Sequence, residues 1–429
     1  MNRSWRITGG TVVDPISGRT EIKDIYVKEG VITDAESPAS PQATPIDATG
    51  LTVVPGLIDL HVHFREPGQT EAEDIESGSR AAAKGGFTTV VTMPNTIPPV
   101  DSARLITKSI SKADAAGFVR LKPAGCITRH RKGKHIAGLS EMAAAGAAAF
   151  TDDGATVRDT SIMKAAMEEC HRLCIPILDH ALDPEIAGQG VMHEGFMSEN
   201  LSMPGIPSEA ETSIVQRDIS LAAQTGCRIH LQHLSALGSV DLLKKARSQG
   251  IPVTGEATPH HLCLTDRDID AGNPNYKMNP PLREEKDRLR LVQGLAENVI
   301  TILATDHAPH SAVPGHDSFL DAPFGVTGLE TAVGITYSVL VKNGPLSLAD
   351  WVRKWTTGPA AVLGIKCPGL LRGDPADLTI LDLNTEYTID HSTFFSKSAN
   401  TPFAGRKVTG QSLLTMMNGN VTWKDKSLC

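Results

Sequence analysis

The sequence predicts an α/β protein, a (β/α)8 barrel accompanied by a small β-sandwich that the first and last segments of the chain form together. Three observations carry that prediction. Eight short apolar runs alternate with Ala-, Glu- and Lys-rich stretches through the middle of the chain, polar residues collect at the carboxyl ends of those runs, and both flanks read as short β-like text broken by Gly, Pro and Asp.

In chain order, the first flank runs from Trp5 to about Thr52 (WRITGGTVVD, DIYVKEGVITDA) with no sustained helical period. The last sixty residues return to that style in DLTILDLN, YTIDH and LLTMMNGNVTW. Residues 1–52 and 366–429 are therefore expected to build the sandwich and 53–365 the barrel. The eight runs between them are 57–63 (LIDLHVH), 88–94, 119–128, 147–153, 174–181, 227–235, 252–260 and 300–307. Their near-continuous apolar character suits strands buried on both faces. Helical text follows most of them. Glu71 to Lys84 predicts a helix closed by Gly85-Gly86, and Ser239 to Ser248 one closed by Gly250. At 429 residues the chain has room for one large barrel of about 250 residues with additions.

Composition excludes several function classes. Hydrophobic residues at 40% and charged ones at 21% supply a core and rule out a disordered chain. A net charge of −8 without long runs offers no basic stripe for nucleic acid. Seven scattered cysteines never take the C-x-x-C spacing, and read as reduced thiols. MNRSWRITGG lacks the apolar core of a secretory signal, and no stretch approaches a membrane span, so a cytoplasmic protein is expected.

Chemistry gathers at the strand ends. In a barrel of this type the carboxyl ends line one mouth, where the active site lies. His61, His63, Asn95, Asp153, His180, His233 and Asp306 all fall there. His61 and His63 are two apart on a strand, so both project to one face and can hold one ion. A single buried His or Asp is more often a hydrogen-bonded core group than a ligand. Four imidazoles and two carboxylates converging on one mouth instead suit a borderline metal such as zinc. His260 and His261 are neighbours on a strand by this reading, so at most one points inward, and both are kept as supporting or structural residues. His130, His135, His171 and His193 lie in loop- or helix-like text and are expected at the surface.

PGLIDLHVHFREPG (55–68) resembles the first-strand motif of amidohydrolases, in the form found in dihydroorotases of the longer, bacterial class I type. The resemblance extends over KGGFTTVVTMPNT (84–96), AFTDDG (149–154), GIPSEAE (205–211), EATPHHL (256–262), NYKMNPPLR (275–283), ATDHAPH (304–310), APFGVTGLE (322–330) and NTPFAGRKV (400–408), nearly the whole chain. It implies that His61, His63 and Asp306 bind a first, more buried metal and His180 and His233 a second. Asp153, and not Asp152, would stand where many amidohydrolases carry a bridging carboxylated lysine. Arg65, Asn95 and His310 would cradle the substrate carboxylate, and Asn279 with the backbone near Phe324 and Gly325 would hold the ring amide. DHALD at 179–183 departs from the His-Cys-Glu run usual in relatives, which puts the surroundings of His180, though not His180 itself, in question.

The implied reaction is the reversible closure of N-carbamoyl-L-aspartate to L-dihydroorotate in pyrimidine biosynthesis. One or two zinc ions would supply a bound hydroxide, with Asp306 as general acid and base. A homo-oligomer is implied, and aspartate carbamoyltransferase is a candidate partner, since some class I relatives depend on it. Two rivals remain. A hydantoinase or allantoinase would explain the metal site equally well, but Arg65 after H-x-H-F, the MPNT segment and the lack of a lysine ending the fourth run, with Lys134 and Lys164 the nearest, stand against it. A catalytically silent scaffold subunit would have lost ligands, and none is lost. Ala312 to Ala322, with Pro314 and Gly315, reads either as a loop over the mouth or as an ordinary surface connection.

Overall fold

A computed structural model describes residues 4–34, 43–311, 318–366 and 369–428. Its centre is a sheet of eight parallel strands in chain order: β1 (Leu57–Val62), β2 (Phe87–Thr92), β3 (Arg120–Gly125), β4 (Ala149–Phe150), β5 (Ile177–Asp179), β6 (Ile229–Leu231), β7 (Val253–Ala257) and β8 (Ile302–Leu303). Each expected run coincides with one of them, β2 starting one residue before its run, at Phe87. All residues of β1 and β2 are buried, as strands covered by helices outside and packed side chains inside must be.

The sheet closes on itself. Val62 bridges His307 in parallel, and the His63 N–H donates to the His307 carbonyl at 2.8 Å. Behind this seam the fully buried Asp59 accepts from Thr305 Oγ1 at 2.6 Å, from the Thr305 N–H at 3.1 Å and from the His61 N–H at 3.0 Å. One carboxylate thus ties the first strand to the end of the last.

The two flanking segments share a sheet, and the first of them runs on through Pro55, three residues past the boundary expected at 52. A six-stranded sheet takes Thr11–Val13, Thr20–Ile22 and Thr52–Pro55 from the first segment and Leu378–Thr388, Lys407–Met417 and Asn420–Lys424 from the last. Thr52–Pro55 lies between the two groups, parallel to Thr11–Val13 and antiparallel to Leu378–Thr388. A second sheet of four strands spans Trp5–Thr8 to Thr44–Asp47. Ile7, Val12, Ile25, Val53, Leu378 and Leu414 form a core separate from that of the barrel. The chain passes from sandwich to barrel at Gly56, where a Cβ would stand 2.2 Å from Thr88 Oγ1, so a side chain there would collide with β2.

Local boundaries differ from the sequence reading for physical reasons. The helix expected from Glu71 begins at Ile75, because Asp74 accepts from the Ser77 N–H at 2.8 Å and caps it. Gly85 stays right-handed, and Gly86 takes the left-handed conformation at φ +96°. The second helix starts two residues early, at Leu237, and Gly250 follows its end at φ +75°. The run 252–260 leaves the sheet at Ala257, since Thr258 and Pro259 start a short helix, Pro259–Cys263. His260 and His261 are therefore helical neighbours, and the strand-alternation argument does not apply to them: both are buried. His130, His135 and His171 are exposed as expected. His193 is not. It is 7% exposed and its Nδ1 lies 3.2 Å from Arg283 Nη1. Of the expected loop 312–322, residues 312–317 lie outside the described residues. Among the described residues no helix is long and apolar enough to cross a membrane.

The seam yields a stability prediction. Thr305→Val keeps the volume but deletes the hydroxyl that reaches Asp59, leaving a buried carboxylate one donor short. Unfolding in urea should show a loss of about 1–3 kcal/mol; a variant as stable as the parent would show that the clasp contributes nothing.

Candidate metal centre and active site

Eleven of the twelve residues expected at the site line one cavity of about 210 Å³ at the carboxyl end of the barrel: His63, Arg65, Asn95, Asp153, His180, His233, Asn279, Asp306, His310, Phe324 and Gly325. The twelfth, His61, lies at its base, fully buried.

Tautomers follow from hydrogen bonds. His61 Nδ1 donates to Glu256 Oε1 at 2.8 Å, and His63 Nδ1 donates to Asn95 Oδ1 at 2.8 Å, so each ring turns Nε2 toward the carboxylates. His61 Nε2 lies 3.3 Å from Asp153 and 3.4 Å from Asp306; His63 Nε2 lies 3.2 Å from Asp306 and 3.6 Å from Asp153. Ligands around one ion at about 2.1 Å in a tetrahedron stand about 3.4 Å apart, so these separations match a shared cation. The electrostatics point the same way. Burial alone would lower the pKa of His61, but the carboxylates of Asp306 and Asp153 lift it well above its ordinary value. Burial likewise works to raise both acids, and the neighbouring imidazoles hold them well below the carboxylate range. The cluster stabilises positive charge at its centre.

His180 and His233 face the same cavity but meet each other, His180 Nδ1 lying 2.8 Å from His233 Nε2. His180 Nδ1 is 3.8 Å from Asp153, whose Oδ1 is buried without a hydrogen bond, as is Nδ1 of His233. Asp152 turns away, accepting from the Thr128 N–H at 3.0 Å. DHALD is accommodated by a cation: Arg217 lies 3.6 Å from Asp179 and 2.6 Å from Asp218.

At the open side, Arg65 is 9% exposed, and burial draws its guanidinium down to about 10. Nε donates to the Pro309 carbonyl at 3.0 Å. His310 Nε2 donates to the Phe324 carbonyl at 2.7 Å and stands 3.4 Å from Arg65 Nη2. Burial and the Arg65 charge lower His310 to about 4, so the ring is neutral at pH 7. His310 spends its one N–H on that carbonyl, whereas Arg65 keeps its Nη donors on the lining of the cavity, which suits an anion. Asn95 spends its oxygen on His63 and one N–H on Asp153 at 3.0 Å, leaving a second N–H. Asn279 Oδ1 is buried without a partner. Arg65, His233 and Asp306 have φ of +54°, +30° and +48°, left-handed backbone at three separate strand ends.

Sequence reasoning missed the residues beneath the site. Glu256, fully buried on β7, accepts from His61 Nδ1, from the His233 N–H at 3.1 Å and from His230 Nε2 at 2.8 Å. Gln232 approaches His61 Nδ1 at 3.2 Å. Glu211 accepts from the Ser235 and Ala236 N–H groups at 3.1 and 3.0 Å and pairs with the buried Arg283, fixing the turn after His233. The available signal was an acid inside a buried strand, which demands a partner.

Barrel and site define a cyclic-amide hydrolase of the amidohydrolase class, with His and Asp groups able to hold a metal. Among solved structures, the L-hydantoinase (dihydropyrimidinase) of Arthrobacter aurescens superposes with a TM-score of 0.87 at 27% identity, covering 100% of this chain and 98% of that one. The D-hydantoinase of Thermus sp. gives 0.84 at 24% identity, covering 99% and 96%, a likeness of fold. A Dihydro-orotase-like family model matches residues 50–239. Sequence relatives are closer: the dihydroorotase of Pelotomaculum thermopropionicum is 43% identical over 98% of both chains, and that of Bacillus cereus 41% over 96% of both. The chain belongs to the dihydroorotase family.

Glu256→Gln can still touch His61 but loses the charge that orients its Nε2 lone pair toward the cluster. Metal affinity measured by competition with a chelator should fall ~10–100-fold; unchanged affinity would remove Glu256 from that role.

Proposed function

We propose that this chain interconverts L-dihydroorotate and N-carbamoyl-L-aspartate with the help of zinc, which His61, His63, Asp153, His180, His233 and Asp306 would hold. The observation that supports this most is one cavity that pairs a cation-stabilising cluster with the buried guanidinium of Arg65. All twelve residues come from one chain, so the assay is first run on it alone and then with aspartate carbamoyltransferase.

When bound, zinc polarises the ring carbonyl and brings the pKa of a water to about 7. Arg65 offers a planar fork to the substrate carboxylate, joined by the second N–H of Asn95, while His310 holds the Phe324 carbonyl beside it. The unpartnered Asn279 oxygen accepts the ring N–H. In hydrolysis the water oxygen bonds to the ring carbonyl carbon and the C–N bond breaks. Asp306 takes the water's proton on its carboxylate and passes it to the departing ring nitrogen. Closure runs the same steps backwards and expels water.

Asp306→Asn keeps an oxygen ligand but cannot carry a proton. Turnover should fall ~10²-fold or more while elemental analysis still finds zinc; near-normal turnover in a zinc-loaded variant would remove Asp306 from proton transfer. The hydantoinase reading, favoured by the structural likeness at 27% identity, is separated by the carboxylate. Dihydrouracil lacks it and leaves a buried guanidinium unpaired, so its kcat/KM should be lower by ~10³-fold or more. Arg65→Met should cut the dihydroorotate value sharply and narrow that gap. Comparable wild-type rates on both rings would favour the hydantoinase reading instead.

A further inference from the structure

A second cavity, of about 510 Å³, opens at the amino-terminal end of the barrel, the face opposite the active site. Its lining comes from the segments that enter β5 through β8, from the last turn of the helix Leu237–Ser248 and from the helices Leu348–Trp355 and Thr357–Leu363. Conserving a barrel's shape does not require cations at this end, yet Arg228, Arg247 and Lys354 all line it.

Each of the three is held by neutral oxygens. Arg228 donates to the carbonyls of Val362 at 3.0 Å and Cys174 at 2.6 Å. Arg247 donates to the carbonyls of Asn298, at 2.7 Å, and Val299. Lys354 donates to Asn298 Oδ1 at 2.6 Å and to the Ile300 carbonyl at 3.0 Å. Among the described residues none of them forms a salt bridge. The one carboxylate on the lining, Asp350, is paired with a fourth cation, Arg353, at 2.6 Å. The remaining titratable side chain, His230, bonds Thr254 Oγ1 at 2.9 Å and Glu256. Lys354 is 3% exposed, and burial draws it down to about 8; burial lowers Arg247 as well. Lys354 is buried and Arg228 and Arg247 half-buried, none of them in a salt bridge, and an anion entering the cavity recovers part of the cost of desolvating them. The rest of the wall is apolar, with Ile229, Ile251, Pro252, Val253 and Val362.

We propose that this cavity binds a small molecule that carries a phosphate dianion on an apolar or ring-shaped body. A single carboxylate would leave two of the three cations unmatched, whereas a phosphate ester presents several acceptor oxygens to fork-shaped and point-like donors together. The volume exceeds what a free phosphate fills, and the apolar wall accounts for the remainder.

The test is calorimetric titration of the full chain with phenyl phosphate and with inorganic phosphate. Phenyl phosphate should bind one saturable site in the wild type and equally in Arg65→Met, which removes the anion attraction of the active site. Arg247→Gln and Arg228→Gln can still donate to their carbonyls, and should retain dihydroorotate turnover while weakening phenyl phosphate tenfold or more. Raised salt should weaken it too. No saturable binding, binding lost in Arg65→Met, or an affinity indifferent to both glutamine variants overturns the site. Tenfold tighter binding of phenyl phosphate than of inorganic phosphate supports the apolar body, and equal affinities overturn that part.

Discussion

Everything at the mouth depends on the first strand meeting the end of the last. His61 and His63 stand on and just past β1, and Asp306 just past β8, nearly 250 positions apart in the chain, and the cation-stabilising cluster exists only where these ends join. A parallel sheet cannot bring them together unless it curls fully round, and the Asp59 clasp with the His63–His307 hydrogen bond holds that closure. The same constraint sets the orientation of the ligands, because β1 is pinned on both sides and H-x-H cannot twist independently of its neighbours.

Below the mouth lies a polar layer unlike the aliphatic filling usual inside a barrel. Thr254, His230, Glu256 and His61 are linked in sequence by hydrogen bonds of 2.8 to 2.9 Å. Burying such a chain is tolerable only because every link is paired. Its effect is to place one negative charge behind a histidine whose other nitrogen faces two more, and the site gains a fixed preference for cations without a flexible side chain. The open side of the cavity is built differently: Arg65, His310 and Phe324 sit on loops, whereas His61 lies on β1 and His63 follows it directly.

Much of this was legible in the sequence because the barrel repeats one local pattern eight times and the chemistry sits at the same phase of each repeat. H-x-H after an apolar run, the Asp306 of ATDH and Arg65 two residues past His63 could all be placed by counting. What stayed hidden were carboxylates whose partners are remote. Glu73, which no pattern in the sequence singles out, is fully buried against His307, 234 positions away. His193 looked like surface text and proved buried against Arg283. The pairing of His260 with His261 was misjudged because a Thr-Pro cap converts the end of β7 into a helical turn, a competition between strand and cap that periodicity does not weigh.

The position of Thr52–Pro55 has a consequence for the order in which the protein is made. Its antiparallel neighbour, Leu378–Thr388, emerges from the ribosome more than three hundred residues later, an interval of roughly 15–65 s at ~5–20 residues per second. Throughout that time the fully buried valines of this strand have only half of their sheet, and the barrel beside it is still gathering strands until β8. The nascent chain therefore carries an open, apolar strand edge for most of its synthesis, and its yield in a cell rests on what shields that edge as much as on the stability of the finished fold.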